Sequence, residues 1–155
     1  MEGRHITRIM AADQATRTVF QGLGASDFLP RRIRYPSAYV LNTDRQSGPG
    51  IHWVAVYFNK DRSAEFFDSF GLNPGVHGFS DFLTRHSRSF SYNHIQLQSP
   101  HSITCGYFCV FFLFHRCRGV PMSTIVSWFD PVFKSWNDHV VSEFVYDHFD
   151  VLMCE

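Results

Sequence analysis

The stretch from Tyr107 to Leu113, YFCVFFL, constrains the fold more than any other part of the chain. It is apolar on every face, so a helix built from it must be buried almost all round. Its start is of a different kind, because Thr104, Cys105 and Gly106 put a thiol at the expected first turn. There the backbone N–H groups lack intrahelical partners, and the positive end of the helix dipole favours a thiolate. A cysteine so placed is either a small buried hydrophobe or a reactive group, and its surroundings decide between the two.

The chain has 155 residues, enough for one domain with its own core and short for two, so residues 1–155 are read as a single domain. Hydrophobic residues make up 45% and aromatics 17%, which excludes a disordered tail. No apolar run approaches the roughly 20 residues of a membrane span. The opening MEGRHITRIMAADQ lacks the apolar stretch of a secretory signal, and an intracellular protein without a membrane partner is expected. Cys105, Cys109, Cys117 and Cys154 all fall late in the chain and are expected as reduced thiols. Residues 1–120 carry 13 Lys and Arg against 8 Asp and Glu, whereas residues 121–155 carry 1 against 6. An acidic C-terminal segment docked on a basic body, or merely solvated, would account for this. So would a nucleic-acid face built from Arg31, Arg32, Arg34, Arg85 and Arg88.

Read along the chain, the pattern predicts a helix over 11–22 that Gly24 can stop, then a strand at Ala38 to Leu41. QSGPG, 46–50, is a loop by composition. IHWVAVYF (51–58) and SAEFFDSF (63–70) predict two strands joined by the polar NKDR. A helix follows near SDFLTRH with Ser80 as its N-cap, then a strand at NHIQLQ (93–98), the cysteine helix, and a short helix started by Pro121. A longer helix over 138–152 presents Val141, Val145, His148 and Leu152 to the core. Mixed elements in this order predict an α+β fold.

The predicted hairpin brings chemistry together. A turn centred on Lys60 pairs His52 with Asp68, and an odd-length loop puts both side chains on one face; a two-residue loop would pair His52 with Ser69 instead. A carboxylate beside an imidazole favours the imidazolium, and a neighbouring imidazolium holds a cysteine as thiolate. Cys105, His52 and Asp68 can therefore form a nucleophile, a base and its orienter. Gln98, seven residues before Cys105, can offer its amide with the Cys105 N–H to an oxyanion.

In the order GPGIHWVAVYFN, EFFDSFG and QSPHSITCGYFC, these motifs resemble the adenovirus-type cysteine proteases, adenain-like enzymes related to the SUMO-deconjugating proteases. The likeness is strongest over residues 38–114. VLNTDRQSGPGIHW, Thr104 before the cysteine and the Gln98 to Cys105 spacing are similar to the adenoviral branch, while Asp68 is the SUMO-protease choice where adenoviral enzymes carry glutamate. The resemblance implies a papain-like, adenain-like fold, a central mixed sheet packed against a buried helix carrying the nucleophile. It implies Cys105 as nucleophile, His52 as base, Asp68 as orienter and Gln98 as oxyanion donor. Trp53, Gly50 and Gly106 would contact substrate, and cleavage would follow glycine in viral or mobile-element precursor proteins. The expected partner is thus a protein substrate with glycine-containing sites, cut by a monomer, in the host nucleus and virion if the source is viral. The resemblance also brings a peptide activator and DNA as possible cofactors. No cysteine precedes Cys105, which argues against a disulfide-tethered activator, and a pI of about 7.1 weakens the case for DNA.

Other readings stay open on sequence. Cys105, Cys109, His115 and Cys117 could be metal ligands, but no CxxC occurs and no metal is expected. The same fold could hold a peptide without cutting it, or could release a ubiquitin-like protein from its conjugates.

Overall fold

A computed structural model describes residues 1–154. The elements follow one another as α1 (Gly3–Ala12), β1 (Phe20–Ala25), β2 (Ser37–Asn42), β3 (Trp53–Phe58), β4 (Ser63–Phe67), a 3-10 turn (Pro74–His77), α2 (Ser80–His86), β5 (Ser89–Tyr92), α3 (Cys105–Arg116), α4 (Met122–Ser127) and α5 (Lys134–Met153). The five strands lie in sheet order β1-β2-β3-β4-β5. β2, β3 and β4 pair antiparallel, and β1 and β5 flank them in parallel, so the sheet is mixed and the fold is α+β as predicted.

Both faces of the sheet are covered, which is why Ala38 to Leu41 in β2 and the whole of β3 read as unbroken apolar runs. On one face Ala38, Val40, Ala55, Tyr57 and Phe67 meet α1, α3 and α5. On the other Tyr39, Leu41, Val54, Val56 and Phe66 meet Phe79, Phe82 and Leu83 of the α2 region. α3 is the central helix the YFCVFFL run demands, with every residue from Phe108 to Leu113 buried. It lies against β3 and β4, and Phe112 stacks on Phe67 with ring centroids 4.6 Å apart.

Several sequence expectations are corrected. The helix predicted over 11–22 lies earlier, at Gly3–Ala12, with Ile6, Ile9 and Met10 facing inward among charged neighbours. The chain after it closes in a turn, where the Asp13 carboxylate accepts from the backbone N–H and hydroxyl of Thr16, and then enters β1. NHIQLQ forms no strand. The backbone N–H groups of Leu97 and Gln98 both donate to the Ser69 carbonyl instead of to a ladder. Gly71, at φ +67, lets Ile95 pass so closely that a Cβ would lie 2.6 Å from its backbone carbon. Phe79 holds the N-cap position of α2, and Ser80 is the first helical residue. On α5 the inward stripe is Asn137, Val141, Val145 and Phe149, whereas His148 is exposed.

The hairpin is centred on Asp61, not Lys60, with Phe58 opposite Ala64 and Asn59 closing on Ser63 at 2.7 Å. Arg62 takes the left-handed conformation at φ 70 as the last residue of a three-residue loop. The Asp61 carboxylate accepts from the Ser63 N–H and hydroxyl and fixes that register. The loop is still odd, so even-numbered residues of the two strands share a face, and the meeting of His52 and Asp68 survives as a diagonal one.

Candidate functional site

Three chain segments end at one place. His52 immediately precedes β3, Asp68 immediately follows β4, and Cys105 opens α3. His52 Nε2 and Asp68 Oδ1 lie 2.6 Å apart, with Asp68 fully buried and His52 nearly so. Phe70, the residue that the observed register brings opposite His52, lies against its ring at a centroid distance of 4.8 Å. With Nε2 committed to the carboxylate, Nδ1 is the nitrogen left for Cys105, whose thiol lies near the ring at the same cleft.

The electrostatics follow from this packing. Burial alone would pull the His52 pKa down, but its hydrogen bonds to Asp68 and Cys105 and their charges outweigh that and push it up to about 9. Burial likewise raises the Cys105 thiol, yet the His52 ring and the backbone N–H groups of Trp53 and Gly106 bring it below the ordinary value. Burial also works against the Asp68 anion, and the two histidines on its oxygens hold the carboxyl well below the usual range. Cys109, one turn along α3, is the contrast: wholly buried, its thiol is pushed far up. The same helix thus carries one thiol poised to ionise and one kept neutral. Among the described residues, no three His, Cys, Asp or Glu side chains gather as a metal-binding group.

Gln98 is buried and bonded on both ends of its amide. Oε1 accepts from the Ser69 hydroxyl at 2.6 Å, and Nε2 donates one hydrogen to the Ser102 carbonyl at 2.9 Å. Among the described residues its second amide hydrogen makes no hydrogen bond. The loop from Gln98 to Cys105 is gathered by Asp138 of α5, which accepts from the hydroxyls of Ser99, Ser102 and Thr104.

Of the expected substrate-contacting residues, Trp53 and Gly50 line a cleft of about 280 Å³ that His52 and Cys105 also line. Gly50, at φ +90, faces the Asn42 amide, 3.2 Å from where a Cβ would stand. A second depression of about 260 Å³ continues past Asn42, Pro49, Gly50 and Trp53 toward Leu23 and Phe28. Gly106 is elsewhere: it is buried beneath Met1 and the Trp53 ring, 3.0 Å from Met1 Cβ to an added Cβ. The Trp53 indole N–H donates to the Met1 carbonyl at 3.2 Å, so the indole and the first residues form one wall of the cleft.

Three residues at the site escape the sequence reading. His77 bonds Asp68 Oδ2, Asn93 brackets the Asp68 backbone through its N–H and carbonyl, and Asp138 holds the loop before Cys105. His77 stands in NPGVHG, which reads only as a turn, and Asn93 in a segment read as a strand; neither carries a local signal. The arginines of the expected basic face are exposed, and the Tyr35 hydroxyl, which donates to the His86 carbonyl, ties their loop to the end of α2.

No protein-family profile matches the chain. A protein of Acanthamoeba polyphaga mimivirus named as a thiol protease is 26% identical, over 74% of this chain and 41% of that protein. The protease of bovine adenovirus C serotype 10 is 27% identical, over 48% of this chain and 45% of that one. The chain therefore spans less than half the length of either relative. Among solved structures, the central domain of an uncharacterized Legionella pneumophila protein aligns over 99% of this chain and 98% of its own, with a TM-score of 0.59 and 17% identity, a likeness of fold. The crystal structure of the ASFV protease aligns over 70% of this chain and 44% of that one at 25% identity, with a TM-score of 0.44. In sequence the chain is thus a distant relative of viral proteases, one named as a thiol protease and one adenoviral, and adenovirus-type proteases are the family its motifs resemble.

Proposed function

We propose that the chain is a cysteine-type endopeptidase of the adenoviral kind, which hydrolyses protein substrates after glycine. The observation that carries this reading is the meeting of Cys105 and His52 at the wall of one cleft, with the buried Asp68 carboxylate bonded to His52 behind them. The Cys105 thiolate attacks the scissile carbonyl carbon, and the charge on the carbonyl oxygen is taken by the Cys105 N–H and the free hydrogen of Gln98 Nε2. His52, as imidazolium, gives its proton to the leaving nitrogen as the C–N bond breaks, leaving a thioester on Cys105. His52 then takes a proton from water, which attacks the thioester; the carbon–sulfur bond breaks, and acid product and thiolate result. Asp68 holds His52 in the tautomer this needs and stabilises its cation. Glycine before the cut fits a cleft lined by Gly50 and the Trp53 indole, where a side chain would need room.

The test is to treat the protein separately with a Gly-Gly-aldehyde peptide and a thiol-reactive ubiquitin-like probe, and to map the modified residue by mass spectrometry. Modification of Cys105 by the short peptide is expected. Modification by the ubiquitin-like probe alone would replace this reading with a deconjugating enzyme. Labelling confined to another cysteine would refute it.

A further inference from the structure

Asp68 is bonded through both of its oxygens. Oδ1 accepts from His52 at 2.6 Å and from the Phe70 N–H at 2.9 Å, while Oδ2 is bonded by His77 Nε2 at 3.0 Å. The carboxylate has no solvent exposure, so water does not compete for these positions. His77 is held in turn. Its 3-10 turn is entered through Asn73, whose side chain accepts the Gly75 N–H at 2.8 Å, and is left through Gly78 at φ +80. The His77 ring lies 6.0 Å from that of His52 and 6.4 Å from that of Phe79, centroid to centroid.

We propose that His77 is a positioning residue for the Cys105 and His52 pair, clamping the Asp68 carboxylate in the orientation that presents Oδ1 to His52. This rests on the function proposed above and adds a fifth side chain to its machinery, beside Cys105, His52, Asp68 and Gln98. A carboxylate bonded through one oxygen can rotate and exchange its oxygens; bonded through both, it is fixed. Without the His77 N–H, Oδ2 becomes a buried charged acceptor with no donor, and the group turns to find one. The bond to His52 then weakens, the imidazolium loses its support, and Cys105 loses the cation that holds it as thiolate. The titratable groups facing this cluster are Asp68 after β4, His52 before β3, Cys105 at the head of α3 and Cys109 behind it. Of these, Cys109 is a neutral thiol, so the chain of influence runs from His77 through Asp68 and His52 to Cys105.

The experiment is the pH dependence of iodoacetamide alkylation at Cys105, read by mass spectrometry, for the native chain, His77→Phe and His77→Gln. Phe keeps the ring and removes the donor, and Gln can place its Nε2 close to that of histidine. In the native chain Cys105 should react well below the pH at which a free thiol ionises. His77→Phe should raise the midpoint by about one pH unit or more, and His77→Gln should return it most of the way. An unchanged or lowered midpoint in folded His77→Phe would overturn the proposal. Should the Phe variant fail to fold, His77→Asn, polar but too short to reach Oδ2, carries the same expectation. An ordinary thiol profile in the native chain would instead sink the proposed function, so the two failures are distinguishable.

Discussion

Asp138, in the second turn of α5, accepts the hydroxyl of Thr104, the residue immediately before Cys105, at 2.7 Å. With the Ser99 and Ser102 hydroxyls on the same carboxylate, the C-terminal helix fixes the loop that positions both Gln98 and Cys105. Asp138→Ala should lower kcat by roughly tenfold to a hundredfold through displacement of the oxyanion donors. It should also cost about 1–3 kcal/mol in urea unfolding, since three hydroxyls lose a charged acceptor. Unchanged kcat would show that the loop holds its shape without α5.

The two α3 cysteines should separate under mutation. Cys105→Ala should abolish turnover and leave the unfolding midpoint near that of the native chain, because alanine is a strong helix former. Cys109→Ala should leave turnover and cost about 1 kcal/mol by leaving a small void in the core. Circular dichroism melts alongside turnover assays check both.

The pH profile carries the signature of the paired groups. His52 has its pKa raised from 6.5 to about 9, so the stability and reactivity that come from its cation are fully present below 6.5 and are lost as pH rises through about 9. Asp68 is shifted down, so its contribution is present above the ordinary carboxylate range and is lost on strong acidification. Turnover should therefore hold across neutral pH and fall on an alkaline limb near 9. A limb near the ordinary histidine value would contradict the pairing.

An ion pair away from the site supplies a control. Arg118, beyond the far end of α3 from Cys105, meets the Asp13 carboxylate with two nitrogens, at 2.6 and 3.0 Å. Burial works against the Asp13 anion, but the hydrogen bonds of Arg118 and Thr16 prevail and lower its pKa. Arg118→Ala should cost about 1–3 kcal/mol of stability, with the native chain's advantage shrinking as pH falls and Asp13 protonates. Its turnover should match that of the native chain at a temperature where both are folded.

Much of the site was legible because its chemistry sits in local patterns. An all-apolar run demands a buried helix and puts the Cys105 thiol at its head, and an odd hairpin loop allows His52 and Asp68 onto one side. The register itself depended on the Asp61 carboxylate bonding Ser63, a side-chain choice that strand propensity does not contain. α1 was hidden because Arg4, His5 and Arg8 surround Ile6 and Ile9, and β1 because FQGLGA holds two glycines and stands as a strand only beside β2. His77, Asn93 and Asp138 act across 9, 25 and 34 to 39 residues of sequence, and spacing alone offers nothing to mark such partners.

The most direct measurement is the hydrolysis of a Gly-Gly-containing peptide by the native chain, Cys105→Ala and His52→Ala, each shown to be folded. The account predicts cleavage after glycine by the native chain, no turnover by Cys105→Ala, and a rate lower by orders of magnitude for His52→Ala. Cleavage by Cys105→Ala at the native rate would contradict it.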